Sequence, residues 1–205
     1  VLILGIGAIF FTTKDLYASI GNVIIQEGDS LIERKIGEDV ASEVDVDIFS
    51  YDTIRTAKSK TAIEFIDTTR VDVTEHSKLV IDEFVYDPNK KTGKLSLKAS
   101  LGTVRYASGQ IAKNNPTSIK ITTPTATIGV RGTDFSMTVD ELGSSTIILL
   151  PSCDTNGNCY VGEISVDSDA GQVILSQAFQ ATVVDTVSST PMKPVILGLD
   201  ENMIN

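Results

Sequence analysis

The sequence predicts an all-β fold of short strands: a sandwich, a roll or an irregular solenoid, with a C-terminal β-hairpin extension. Three observations carry this expectation. From about Ile20 onward, β-branched and apolar residues alternate with polar ones in short runs. Clusters of Gly, Pro, Asn, Asp and Ser separate those runs at close intervals. No amphipathic helix of useful length is visible before the C-terminus.

Taken in order, the runs read as strands are NVIIQ, TAIEFI, RVDVT, KLVIDEFVY, KLSLKAS, GTVRYAS, SIKIT, TDFSMTVD, STIILL, CYVGEISV, GQVILS and FQATVV. The turns between them are EGD, IDTT, DPNKKTG, NNP, ELGSS, DTNGN and SDAG. KTAIEFIDTTRVDVTE reads as a hairpin, with Ala62, Glu64 and Ile66 on one face and Ile63 and Phe65 on the other. Val71 and Val73 continue the alternation on its second strand, and FVYDPNKKTGKLSL is a second hairpin with a longer loop. No internal repeat of fixed period is visible, which argues against a regular solenoid. After Val187, two prolines within four residues of each other predict an extended arm that pairs with no strand of its own body.

Composition narrows the function classes. The 205 residues carry 17 Lys and Arg against 27 Asp and Glu, a net charge of −10 spread along the chain. Such a chain has no basic face with which to displace counterions, so nucleic-acid binding is not expected. Lys90, Lys91 and Lys94 read as a solvated turn. Two cysteines and one histidine are too few for a structural zinc site, and no cofactor or metal is expected. Cys153 and Cys159 bracket DTNGN, where Asn156-Gly157 signals a two-residue hairpin, so the pair is a candidate disulfide.

The ends are apolar. VLILGIGAIFF, at residues 1–11, is too short to cross a membrane alone and reads as a signal or anchor remnant, or as a segment buried against a partner. The opening at Val1 and the close in LGLDENMIN suggest a processed or partial product. Expected partner-docking residues are Leu2, Leu4 and Phe10 at the N-terminus and Val195, Ile196 and Leu197 in the arm.

TPTATIGVRGTDF, at residues 123–135, is the most distinctive stretch. It lacks the Lys-Ser/Thr and the following helix of a phosphate-binding loop. The reading is architectural: Thr123 and Pro124 open a strand, Gly129 and Gly132 permit a bend, and Arg131 pairs with Asp134 or with carbonyls. His76 reads as a turn residue, since no GxSxG nucleophile elbow exists in the chain. A carboxylate pair for sugar hydrolysis would want aromatic platforms, and the chain has no Trp and 6% aromatics. Asp154, Asn156 and Asn158 alternate as in a calcium loop, but its twelfth position is Ser165. No enzyme is expected.

At TPTATIGVRGTDF the chain resembles the FecR-type domain family. The likeness extends through YDTIRT (51–56), TAIEFIDTTRVDV (61–73), SKLVIDEFVYDP (77–88) and LKASLGTVRYASG (97–109), and covers about residues 19–140. Tyr51 departs from the family's usual Gly before Asp52, which predicts one altered turn. The resemblance implies an all-β domain without catalysis. The regulators that name the family add a cytosolic segment for a sigma factor and a full membrane helix, and neither is visible here. Residues 146–205 look like FecR-domain structural proteins of tailed bacteriophages, especially those of cyanobacteria.

The division expected is an apolar segment (1–18), the FecR-like domain (19–140), the hairpin extension (141–187) and the proline-bearing arm (188–205). The leading expectation is a structural protein of a tailed-phage virion, bound to other virion proteins and to copies of itself. The alternative is a bacterial envelope protein that relays signals or organises the surface, which calls for an oxidised Cys153–Cys159 bridge.

Overall fold

The computed structural model describes residues 18–154 and 156–198. Leu2, Leu4 and Phe10 lie outside them. The chain opens with β1 (Gly21–Glu27) and β2 (Ser30–Glu33), then the two-residue strands β3 (Val40–Ala41) and β4 (Asp47–Ile48). β5 (Thr53–Thr56), β6 (Lys60–Phe65), β7 (Arg70–Val73), β8 (Lys78–Asp87) and β9 (Thr92–Ala107) follow. One helical turn, α1 (Gln110–Asn114), precedes β10 (Ile119–Thr122), β11 (Thr127–Arg131), β12 (Asp134–Val139) and β13 (Ser145–Leu150). The last strands are β14 (Ser152–Cys153), β15 (Cys159–Tyr160), β16 (Glu163–Ser168), β17 (Gly171–Leu175), β18 (Gln180–Val184) and β19 (Val195–Ile196).

The fold is all-β, as the alternation predicts, and the pairings resolve it into two open sheets. One runs β4–β1–β6–β7–β9–β12–β13–β18–β19. The other runs β3–β2–β5–β8–β9–β10–β11–β16–β17. Their inward residues form one hydrophobic core, from Val23 and Ile32 through Leu97 and Phe135 to Val166 and Val184. Phe65 of the first sheet stacks on Phe84 of the second with ring centroids 5.2 Å apart. Residues 141–187 therefore do not stand apart as a hairpin: β13, β16, β17 and β18 extend the same two sheets.

β9 belongs to both sheets. Its first half pairs with β8 and β10, and its second half with β7 and β12. The alternation reads it as two strands, KLSLKAS and GTVRYAS, but the chain passes through the corner without a break. A register shift between Lys78 and Leu79 bulges β9 there, and Gly102 follows at φ +78°. A Cβ on Gly102 would sit 2.1 Å from Ser77 Oγ and 2.6 Å from Ser77 Cα, so only glycine fits. Ser77 Oγ accepts the Thr103 amide proton at 3.0 Å and is the clasp of the corner.

The β1–β2, β5–β6 and β7–β8 crossings share the same rim, and buried hydroxyls tie them into a spine. Ser30, after the β1–β2 corner, meets Ser59 of the β5–β6 corner at 2.8 Å, and Thr61 donates to Ser30 at 2.9 Å. Thr56 donates to the Thr74 carbonyl at 2.5 Å and accepts the Ser77 amide proton at 2.8 Å, which reaches the β7–β8 corner. Thr56, Ser59 and Ser77 satisfy backbone groups that the corners would otherwise strand, and Ser30 and Thr61 link the hydroxyls to one another.

Hairpin tips close by one shared device. At Phe65, Asp140 and Asp154 the residue's amide bonds to the carbonyl four positions on, while its carbonyl accepts the amide three positions on. The residue three positions on is left-handed in each case: Thr68 (φ 66°), Gly143 (φ 89°) and Gly157 (φ 80°). This is a type I turn with a bulge, a three-residue loop. It corrects the expectation for DTNGN. A two-residue turn at Asn156-Gly157 would set Cys153 opposite Tyr160, whereas the longer loop sets Cys153 opposite Cys159.

The arm is also corrected. Met192 N bonds to Val183 O and Leu197 N to Phe179 O, each at 2.9 Å, and β19 pairs with β18. Pro191 and Pro194 are compatible with this because an edge strand can leave amide positions unused. Val195 and Ile196 remain 57% and 61% exposed.

Replacing Gly102 by Ala forces a left-handed Ala and an overlap with the Ser77 backbone, a loss of about 3 kcal/mol. Ser77→Ala, which orphans the Thr103 amide and removes the hydroxyl's donation to the Glu75 carbonyl, costs about 1–2 kcal/mol. Urea unfolding followed by circular dichroism measures both; an unchanged midpoint for Gly102→Ala would refute the corner geometry.

Candidate functional site

TPTATIGVRGTDF forms β11, the turn that follows it and the start of β12. At its head, Thr123 Oγ1 accepts the Ala126 amide at 3.0 Å and folds the chain back from β10 into β11. Thr125 Oγ1 donates to Ser145 Oγ at 2.7 Å, and Ser145 donates to Thr123 Oγ1 at 2.8 Å. All three side chains are buried, so this hydroxyl chain pins the β10–β11 turn to the turn end of the β12–β13 hairpin. Pro124 stays exposed against the hairpin tip, where a Cβ on Gly143 would lie 3.4 Å from Pro124 Cβ.

Further along, Gly129 lets β16 approach, since a Cβ there would come within 2.7 Å of Ser165 Oγ. Gly132 sits at φ +61° and turns the chain out of the second sheet into the first. Thr133 is fully buried and donates to the Leu150 carbonyl at 3.3 Å. The turn separates the two charged residues that the sequence suggests as a pair. Arg131 points to solvent from the second sheet and bonds Glu163, its cross-strand partner, at 2.8 Å. Asp134 opens β12 in the first sheet, where its Oδ1 accepts the Ser108 amide at 3.2 Å. Partial burial raises the Asp134 carboxyl above the ordinary carboxylate value.

Two polar centres had no local signal. Arg34 reaches Asp52, its ion-pair partner, and also donates to the Asp47 carbonyl at 2.8 Å while lying over the Phe49 ring at 4.9 Å. Asp52 accepts the Phe49 amide at 2.8 Å, and burial raises its carboxyl against the pull of Arg34. Tyr51 beside it adopts φ +72°, the conformation that glycine takes freely, with Lys35 Nζ 3.8 Å from its ring centroid. The second centre is Asp67, fully buried, which accepts the amides of Thr69 at 3.0 Å and Ile111 at 3.1 Å. It fastens the β6–β7 turn to α1.

Elsewhere the reactive residue types are scattered. His76 is an exposed turn residue at φ 54° whose amide bonds to Ala57 O at 2.7 Å. A shallow depression beside it is lined by Glu27, Lys58, Lys60 and Glu75, with opposite charges interspersed. Among the described residues, no three His, Cys, Asp or Glu side chains converge as a metal site. Cys153 and Cys159 are bonded in an exposed two-stranded hairpin outside both main sheets, followed by the exposed Tyr160 and Val161. Asp154 braces the loop by accepting the amides of Asn156 and Asn158, each at 2.9 Å.

Residues 52–150 match the family model described as FecR protein. No curated protein matches the chain. The match begins at the buried Asp52 and ends with β13, so it covers β5 to β13, the middle of both sheets. β1–β4 and β16–β19 lie outside it and supply the sheet ends, and the separate β14–β15 hairpin lies outside it as well.

The raised Asp134 carboxyl makes a signed prediction. Its folded-state value lies above the ordinary aspartate value of 3.8, so the folded state holds the proton more tightly than the unfolded chain. Its contribution favours folding below 3.8 and is lost as pH rises through the raised value. Asp134→Asn keeps an acceptor for Ser108 and removes the titration. The stability of the variant relative to the parent should rise with pH across the acid range and level off before neutrality. Urea midpoints measured at several pH values check this, and a difference that is constant with pH would contradict it.

Proposed function

We propose, from a FecR-type domain at residues 52–150, that the chain is a non-catalytic protein of the bacterial envelope that relays signals or organises the surface through protein–protein contacts. The family match carries this reading. The bonded pair Cys153–Cys159 supports it, because such a bridge in an exposed loop persists in an oxidising compartment. The polar residues of the family-like elements also support it: Asp52, Thr56, Ser77, Thr123 and Thr133 all spend their hydrogen bonds on turns and corners. The virion role expected from residues 146–205 has no matching relative behind it.

The test is location and redox state together. Source cells are fractionated, the chain is followed by peptide mass spectrometry, and its thiols are counted before and after reduction. Recovery in the envelope fraction with both cysteines unreactive until reduction is the expected result. Recovery in phage particles at a fixed ratio to capsid protein, or in the cytosol with free thiols, would overturn the envelope reading.

A further inference from the structure

The sandwich has open sheet ends, and three of its four terminal strands are blunted. β3 and β4 are two residues each, among the acidic residues Glu38, Asp39, Glu43 and Asp45. β19 is also two residues long and follows Lys193 and Pro194. Short length, charge and proline are the devices that keep an edge from pairing with another chain. β17 has none of them. It runs Gly-Gln-Val-Ile-Leu with no charge, proline or register shift, and among the described residues it pairs only with β16.

We propose that β17 is the seat of a two-fold, antiparallel β17–β17 pairing between two copies of the chain. The strand is self-complementary: an axis through Val173 sets Gln172 opposite Ile174 and Gly171 opposite Leu175. No like charges meet in that register, although each copy carries a net charge of −10. Two such acidic chains repel over most of their surfaces, whereas β17 itself carries no charge. This end of the sheet also displays apolar side chains: Ile174 is 40% exposed and Val187 45%. Pairing would join the second sheets of two copies into one continuous sheet. The inference deepens the contact-protein reading by naming one partner, and its test is independent of cellular location.

Sedimentation velocity of the full chain over about a hundredfold range of concentration reads the association directly. The expected result is a reversible shift from one chain mass to two. Ile174→Lys should leave the melting temperature unchanged and abolish the shift. Val195→Lys, on the other terminal strand of the same end, should leave the dimer intact. A single chain mass at every concentration would overturn the proposal, as would a dimer that survives Ile174→Lys or is lost in Val195→Lys.

Discussion

The structure depends on the passage of β9 from one sheet to the other. Gly102 makes that passage sterically possible, and the Ser77 hydroxyl holds it by taking the Thr103 amide. On either side of the corner, Leu97 and Val104 of the same strand point into the same core from opposite layers. Because one strand supplies a central rung to both sheets, neither layer has a complete middle without the other. The layers are coupled by chain connectivity and by packing at once, which makes cooperative unfolding of the sandwich the natural consequence.

A corner strands backbone groups that a straight ladder would pair, and the rim answers this with short hydroxyl side chains. Serine and threonine suit the task because they both donate and accept within a small volume. Thr56, Ser77 and Thr123 fall in the family-like elements of the sequence, so what those elements encode is a set of turns and crossings. The buried carboxylates Asp52 and Asp67 work in the same way, accepting loop amides at the opposite rim. Under the proposed contact role, a domain whose turn residues are committed to its own backbone would leave differences in binding to the strands that flank the matched region.

Period-two alternation made the strands of the first hairpin legible, whereas TPTA, which reads as the opening of a strand, forms the β10–β11 turn because the Thr123 hydroxyl takes the Ala126 amide. What escaped was anything decided across layers. Arg131 and Asp134 are three positions apart in sequence, yet Gly132 and Thr133 carry the chain between sheets and send the two side chains to Glu163 and Ser108. The Arg34–Asp52 contact joins residues on different strands, and no local pattern marks it. α1 is five residues long, too short to display a helical period. Proline disrupts a central strand, so the sequence of the arm predicts no pairing, but β19 lies at an edge where that rule relaxes. In the cysteine hairpin the Asn-Gly signal located the turn correctly and missed its length by one residue, and that residue decides which side chains face each other.

Native-state hydrogen exchange, read at single amides, tests the coupling of the two sheets most directly. The account predicts that Leu97 and Val104, on the two sides of the β9 corner, exchange with the same opening free energy and lose protection together as denaturant is added. If one half of β9 exchanges while the other stays protected, the sheets open independently and the corner does not unite them.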